Sequence, residues 1–258
     1  RPQDRGFDES VWFPSSHIGS VSDFWGNDYF DDTYWHNGKK QKYEGYCTDI
    51  FFNESIRFIE ESIDQDKPFF AYIATNTPHG PLYPKQEDYE VLEKLFEKSK
   101  FANQKGLKSG LVKYLSMIRN IDSNVGDLAN FLDTKGVIDD TIIIFLTDNG
   151  STMGKSYFNA GMRGMKTELW EGGHRVPLFI KWKNGNFKEV GNEVEGLCRV
   201  TDIVPTLVEL CGLKISNRSS LKGMSLAPIL KGKKEISKER KLIINYSRMP
   251  NFISYPIP

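Results

Sequence analysis

The feature that most constrains the fold is the run TIIIFL at residues 141–146, where five apolar side chains follow one another without a polar residue. A β-branched run without alternation predicts a strand that is covered on both faces, as in the interior of a mostly parallel sheet. Apolar runs at residues 69–74 and 176–182 predict two further strands. With helical patterns between them, the order predicts an α/β fold, with a mostly parallel central sheet and helices on both of its faces.

Three helices are predicted, the first two from apolar residues that recur at spacings of three and four. The first begins at a cap formed by Thr48 or Asp49, and the second spans about residues 108–133. The third runs from about residue 202 to residue 211, and Gly212 stands just past its end, where helices often terminate.

Composition excludes several classes of partner. The chain has 258 residues with 34 basic and 34 acidic side chains, so its formal net charge is zero. Such a balance gives no long-range field to attract nucleic acid. The longest apolar run, residues 142–146, is far shorter than the ~20 residues that cross a bilayer, so no membrane span is predicted. The sequence gives no signal of oligomeric state.

The three cysteines offer little chemistry. Cys47, Cys198 and Cys211 form no CxxC pair and lack the spacing of a zinc site. We interpret them as three small buried side chains.

Polar residues follow two of the predicted strands, at the carboxyl ends where α/β proteins bind their ligands. The first strand leads to His79, and the second leads to Asp148 and Asn149. If the two strands are neighbours, these three side chains share one edge of the sheet. Asp148 and Asn149 offer hard oxygen ligands for Ca²⁺ or Mg²⁺, although an Asp-Asn-Gly turn without a ligand is an equally good interpretation.

Two further groups are candidates for contact with an anion. His79 lies in a proline-flanked loop that would hold its imidazole in one orientation for proton transfer, with a surface histidine as the alternative. Lys166 lies in a segment rich in cations and glycines, where Gly172-Gly173 would let the backbone pass close to another segment. The alternative for Lys166 is a solvated basic loop. His17, His36 and His174 are undecided between a cleft and structural roles.

In this order, the motifs resemble those of the type I sulfatases of the alkaline phosphatase superfamily, and the likeness runs through nearly all of the chain. The resemblance implies an alkaline phosphatase-like fold in which Asp148 and Asn149 bind a divalent cation, usually calcium. It implies that His79 contacts the sulfate ester and protonates the departing alcohol, and that Lys166 neutralises charge on the sulfate. The motifs are residues 1–9 (RPQDRGFDE), 77–81 (TPHGP), 147–150 (TDNG), 163–166 (RGMK), 171–177 (EGGHRVP) and 201–207 (TDIVPTL).

The resemblance also shows what is missing. The family's nucleophile is the hydrate of formylglycine, made from a Cys/Ser-x-Pro-x-Arg motif, and none of the three cysteines has a proline two residues later. We therefore expect that residues 1–240 are a partial catalytic domain without its N-terminal strands, and that residues 241–258 begin an incomplete C-terminal subdomain. Formylglycine is expected in the missing part, so this chain alone is expected neither to hydrolyse sulfate esters nor to hold calcium tightly. No signal peptide is present in the chain, and the family implies a periplasmic or extracellular location.

Three functions are compatible with these residues. The leading hypothesis is hydrolysis of a sulfate ester, either an aryl sulfate or a sulfated glycan. A phosphodiesterase or phosphatase of the same superfamily would usually bind two metals, for which the four histidines provide little. A non-catalytic fragment that only binds a sulfated ligand is the third possibility. Glycan specificity would lie in the aromatic region that contains Trp12, Trp25, Tyr29 and Trp35.

Overall fold

The computed structural model describes residues 1–13, 28–188, 191, 193–216 and 220–243. His17, Trp25 and the expected C-terminal subdomain beyond residue 243 lie outside the described residues. The chain divides into two compact units, the first made of residues 1–135 and 151–161 and the second of residues 136–150 and 162–258. The predicted boundary near residue 240 stays a prediction.

Three helices dominate the first unit: α1 (Cys47–Asp64), α2 (Gln86–Glu97) and α3 (Lys105–Thr134). The periodic apolar residues predicted α1 and α3, whereas α2 was not predicted. The predicted cap of α1 is wrong, because the helix begins at Cys47 and its capping position is Tyr46. The Asp49 carboxylate instead accepts hydrogen bonds from Asn120 and Asn124, both on α3.

The core of the first unit lies between its helices and an aromatic cluster. Fully buried tyrosines pack against Cys47 and Ile50 of α1 and Met117 of α3. A second apolar cluster joins α2 to α3 through Phe96, Leu111 and Val112. The buried members of the aromatic cluster are Tyr29, Tyr34 and Tyr46.

A small antiparallel sheet, which was not predicted, covers part of the aromatic region. It contains β1 (Val11–Trp12), β2 (Thr33–His36) and β3 (Lys39–Lys42), in that order. Asn37 and Gly38 connect β2 to β3, and both have positive φ angles, which is the geometry of the tight turn that joins twisted antiparallel strands.

The predicted strand at residues 69–74 is not a strand in the described structure, because no described segment forms a ladder with it. Its side chains alternate between partly covered and exposed, and Phe70 and Tyr72 are 59% and 72% exposed. The prediction of a strand here is therefore wrong for the described structure, since a strand needs a neighbour to accept its hydrogen bonds.

The second unit contains the predicted strands β4 (Ile143–Leu146) and β5 (Leu178–Lys181). They pair with each other antiparallel, with Phe145 opposite Phe179. This differs from the parallel neighbours predicted for β4. The two phenylalanines are 39% and 64% exposed, so the described residues leave uncovered a face whose apolar sequence predicted burial.

The remaining helices of the second unit are short: α4 (Glu171–His174), α5 (Ile203–Leu210) and α6 (Ala227–Leu230). α5 matches the predicted third helix, and Gly212 has the positive φ angle expected just past its end. Among the described helices of the chain, none combines the length and the apolar character that a membrane crossing requires.

Candidate active site

Asp148 and Asn149 directly follow β4, in the turn where the sequence placed them. The Asp148 side chain is exposed, and its Oδ1 accepts the Asn149 backbone N–H at 2.8 Å. The half-buried Asn149 side chain has no hydrogen bond to another described residue. A carboxylate oxygen and an amide oxygen therefore remain available side by side, and both are ligand types that calcium prefers.

Glycines hold this turn against the segment that carries Lys166. The Gly150 backbone N–H donates a hydrogen bond to the Gly173 carbonyl at 3.0 Å. A Cβ atom added to Gly150 would overlap the Gly172 carbonyl oxygen, and one added to Gly172 would overlap the carbonyl of Gly164. The predicted close approach at Gly172-Gly173 is therefore confirmed, and its partner is the Asp148-Asn149-Gly150 turn.

Lys166 lies in a closed loop that spans residues 163–173. The loop is tied at its ends, because the Gly172 N–H donates to the Arg163 carbonyl at 2.8 Å. The Arg163 guanidinium lies over the Trp170 ring, 3.4 Å from its centre. Lys166 itself is half-buried, and its ammonium forms no ion pair with any residue that the structure describes. A cation held by a rigid loop without a carboxylate partner is suited to contact an anionic ligand.

His79 is exposed, and it lies in a loop of the first unit that hydrogen bonds hold in place. Its backbone N–H donates to the Asn76 carbonyl at 3.0 Å. The His79 Nδ1 lies 2.7 Å from the Gly80 carbonyl oxygen. Because a carbonyl only accepts, Nδ1 is the donor in this contact and carries a hydrogen.

Tyr29 holds the His79 loop in place through hydrogen bonds. This role of Tyr29 was not predicted. Its hydroxyl donates to the His79 carbonyl at 2.5 Å and accepts from the Asn76 side chain at 2.6 Å. Burial raises the pKa of the Tyr29 hydroxyl far above its usual value, so it remains a neutral donor. The expectation that Tyr29 contributes to glycan specificity is wrong for its ring, which is fully buried and cannot contact a ligand.

His36 and His174, whose roles the sequence left undecided, form no described hydrogen bond with Asp148, Asn149 or Lys166. The His36 Nε2 lies 3.4 Å from a carboxylate oxygen of Glu9, which is within ion-pair distance, and Glu54 lies nearby. Imidazole and carboxylate groups are both possible ligands of a metal ion. The Arg57 guanidinium already pairs with both carboxylates, at 3.0 Å for Glu54. We therefore interpret this cluster as an ion-pair network that joins α1 to the small sheet. His174 is exposed.

The four predicted site residues thus divide between the two units. Asp148, Asn149 and Lys166 lie in the second unit, where glycine contacts join their two segments, and His79 lies in the first. The prediction that His79 shares one sheet edge with Asp148 required a strand at residues 69–74, which the described structure lacks, so the described sheets do not support it.

Comparison with known proteins shows which family this chain resembles. The sulfatase family model matches residues 3–213. The sulfatase YdeN of Escherichia coli (strain K12), itself uncharacterized, is 28% identical over 255 residues, which cover 96% of this chain and 41% of that protein. An arylsulfatase of Clostridium perfringens is 29% identical over 209 residues, covering 71% of this chain and 41% of that protein. The chain therefore spans less than half the length of these relatives.

Solved structures extend the likeness to the fold. The structure of Ps i-CgsB in complex with k-i-k-neocarrahexaose is 26% identical, has a TM-score of 0.76, and is matched over 91% of this chain and 52% of that one. BT4656 in complex with D-glucosamine-2-N,6-O-disulfate, at 19% identity and a TM-score of 0.73, shares the fold over 95% of this chain and 63% of its own. These neighbours confirm the predicted alkaline phosphatase-like α/β fold. Because the family match runs through the loops of His79, Asp148 and Lys166 in order, the chain belongs to the sulfatase family.

Proposed function

We propose that the complete protein hydrolyses sulfate esters and that His79, Lys166, Asp148 and Asn149 act together on the ester. The observation that carries the proposal is the joining of the Asp148-Asn149 turn to the Lys166 loop through Gly150, Gly172 and Gly173. This contact places the two oxygen ligands and the Lys166 ammonium on one rigid support. Within the described residues, that ammonium has no ion-pair partner. Charge that develops on sulfuryl oxygens is best stabilised by groups fixed in advance in this way.

Each side chain has a role that fits its environment. Lys166 neutralises charge on the sulfate group, and His79 gives a proton from Nε2 to the departing alcohol oxygen. Asp148 and Asn149 bind a divalent cation, with calcium as the expected ion because both ligands are oxygens. When bound, the cation adds positive charge next to the sulfuryl oxygens.

The nucleophile is proposed to lie outside this chain. In the family resemblance it is formylglycine from a Cys/Ser-x-Pro-x-Arg motif, and Cys47, Cys198 and Cys211 all lack that context. The prediction of three buried cysteines is correct only for Cys47, since Cys198 is half-buried and Cys211 is exposed. Burial raises the pKa of the Cys47 thiol to about 12, so it is not an alternative nucleophile. The 258 residues alone are expected to release no sulfate.

We further propose that the physiological substrate is a sulfated glycan and that the complete protein acts in the periplasm or outside the cell. Two solved neighbours bind k-i-k-neocarrahexaose and D-glucosamine-2-N,6-O-disulfate, which supports a glycan over a small aryl ester. An aryl sulfate would then serve as a synthetic substrate.

An assay on a synthetic aryl sulfate tests the proposal. The 258-residue chain is compared with a form extended upstream through an intact Cys/Ser-x-Pro-x-Arg motif, and aryl phosphate is tested in parallel. We expect sulfate release only from the extended form, and much slower phosphate release. Faster hydrolysis of the phosphate would favour the phosphatase alternative. Binding of sulfated ligands without hydrolysis of either ester would favour a non-catalytic role.

A further inference from the structure

We infer that a groove on the first unit binds a sugar ring of a sulfated glycan next to the His79 loop. This inference rests on the proposed function and adds to it a site for the glycan chain. The groove, here called the Tyr83 groove, has a volume of about 260 Å³. That is slightly below the ~300 Å³ at which pockets begin to hold drug-sized ligands, so the groove suits about one sugar ring. Its wall includes Phe30, Tyr83, Pro84, Tyr89 and Lys113.

The wall of the groove presents aromatic rings to solvent. Phe30 is 38% exposed and Tyr83 is 52% exposed, although burial of such rings is normally favourable. Aromatic faces pack well against the C–H faces of sugar rings. The hydroxyls of Tyr83 and Tyr89 form no hydrogen bond with another described residue, so they are available to sugar hydroxyls.

The exposed rings are held in place by the buried aromatic cluster. The Phe30 ring lies 5.0 Å from the Tyr46 ring, and the Tyr83 ring lies 6.2 Å from the Tyr29 ring. Both inner rings are almost completely buried. A ligand that binds to rings already fixed in this way loses little side-chain entropy in the wall.

Lys113 gives the groove the charge that a sulfated sugar requires. Its side chain is half-buried, and within the described residues it has no carboxylate partner. Nearby lysines of the first unit differ in this respect. Lys85 pairs with Asp49 and Glu87, at 2.9 and 2.7 Å. Lys108 pairs with two glutamates of α2. A partly buried ammonium without a counter-ion, beside aromatic rings, is complementary to a sulfate group on a sugar.

Two features keep the groove close to His79, the proposed proton donor. One is the short stretch of chain between His79 and Tyr83, and the other is the contact that each of them makes with Tyr29. Tyr83 follows His79 by four residues, which limits the separation of their Cα atoms to about 14 Å. Tyr29 binds the His79 carbonyl through its hydroxyl and packs against Tyr83 through its ring. A short oligosaccharide with its ester at His79 would therefore reach the groove with a neighbouring sugar.

Calorimetric titration of the 258-residue chain tests this site. The probes are k-i-k-neocarrahexaose and D-glucosamine-2-N,6-O-disulfate, each compared with its desulfated counterpart. We expect a sulfated probe to bind wild type, and Tyr83→Ala and Lys113→Ala each to weaken binding by about tenfold, the loss typical of a central contact residue. Lys113→Arg should keep most of the affinity, and the desulfated probes should not distinguish Lys113→Ala from wild type.

Matched controls are an exposed tyrosine and an exposed lysine away from the groove. Tyr72→Ala and Lys94→Ala should bind as wild type does, and thermal unfolding of every variant checks that the fold is kept. If neither sulfated probe binds, or if both groove variants bind with wild-type affinity, the inference is wrong. Sulfate release from an aryl ester by the extended form is measured separately, so a failure of the proposed hydrolysis is not confused with a failure of the groove.

Discussion

At the scale of single residues, the absence of a side chain at Gly150 lets the candidate ligand turn approach the Lys166 loop, and the absence of side chains at Gly172 and Gly173 lets that loop close on itself. A methyl group at Gly150 would overlap the Gly172 carbonyl oxygen, and one at Gly173 would overlap the Glu168 carbonyl oxygen. These neighbours are backbone atoms, which cannot turn away as a flexible side chain can. The close approach therefore tolerates no larger residue without a shift of the backbone.

Substitution of Gly150 tests this contact. Gly150→Ala should lower the free energy of unfolding by roughly 2 kcal/mol or more, because overpacking against fixed atoms costs about 1–3 kcal/mol. Gly126→Ala, on the exposed face of α3 with open space around it, should instead raise stability by about 0.5–1 kcal/mol. Urea unfolding of both variants measures the difference. Equal effects of the two substitutions would show that the Gly150 contact does not constrain the loop.

The sequence predicted part of this detail. The pair Gly172-Gly173 was predicted to pass close to another segment, and it does. The role of Tyr29 was not predicted, because nothing in the local sequence indicates that a hydroxyl will contact a carbonyl 50 residues away. Such a contact depends on tertiary packing, which periodicity and turn signals do not encode.

At the scale of elements, a polar network joins the helices of the first unit. The Asp49 carboxylate accepts hydrogen bonds from Asn120, Asn124 and Lys85, at 2.7, 2.8 and 2.9 Å. Burial raises the pKa of this carboxyl, but the hydrogen bonds and the Lys85 charge together outweigh burial and lower it. The network fixes α1 against α3 at the point where the sequence had predicted only a helix cap.

The lowered pKa of Asp49 predicts a pH dependence. A carboxyl whose pKa is lower in the folded than in the unfolded state contributes stability above its ordinary pKa of 3.8, and that stability is lost as pH falls through the folded pKa. Asp49→Asn should therefore cost about 2 kcal/mol at pH 7, and the difference from wild type should narrow as pH falls below the ordinary pKa of 3.8. Urea unfolding at several pH values measures this. Asp127→Asn, at an exposed carboxyl of α3, should cost much less than Asp49→Asn at pH 7. A constant Asp49→Asn cost at all pH values would contradict the account.

The second unit has its own buried anchor at Asp202. This fully buried carboxylate accepts the backbone N–H groups of Arg199 and Met224 and pairs with Arg240 at 2.9 Å. Asp202→Ala should lower stability by roughly 3 kcal/mol, because it leaves a mostly buried guanidinium and two N–H groups without their acceptor. Asp139→Ala removes an exposed pair with Lys183 and should cost less than about 1 kcal/mol. Chemical unfolding of the two variants gives the comparison, and similar losses would mean that Asp202 is not an anchor.

Helices were predicted better than strands, for a physical reason. The apolar stripe of α3 spans about six turns and needs only local spacing, so its predicted range of 108–133 differs little from Lys105–Thr134. A strand depends on a partner distant in sequence. The run at residues 69–74 has no described partner, and β4 pairs with β5 antiparallel. The hairpin at Asn37-Gly38 was not predicted, although an Asn-Gly pair is typical of the tight turn that joins two antiparallel strands.

At the scale of the whole molecule, the chain holds the family's later motifs while it spans 41% of its Escherichia coli relative. The family assignment rests on a match through residues 3–213, and the fold was predictable because several modest motifs occur in the right order. The relative placement of His79 and Asp148 was not predictable in the same way, since it depends on how a complete sheet assembles.

The central claim is that these separate motifs form one sulfate-ester site in the complete protein. The most direct measurement is kcat/KM for aryl sulfate hydrolysis by the upstream-extended form and its variants His79→Ala, Lys166→Ala and Asp148→Ala. We predict that each variant loses at least about 100-fold, as expected for proton-transfer and charge-stabilising groups, while the exposed Lys155→Ala retains activity. An extended form with an intact Cys/Ser-x-Pro-x-Arg motif that releases no sulfate, or that releases it equally well in the three variants, would contradict the account.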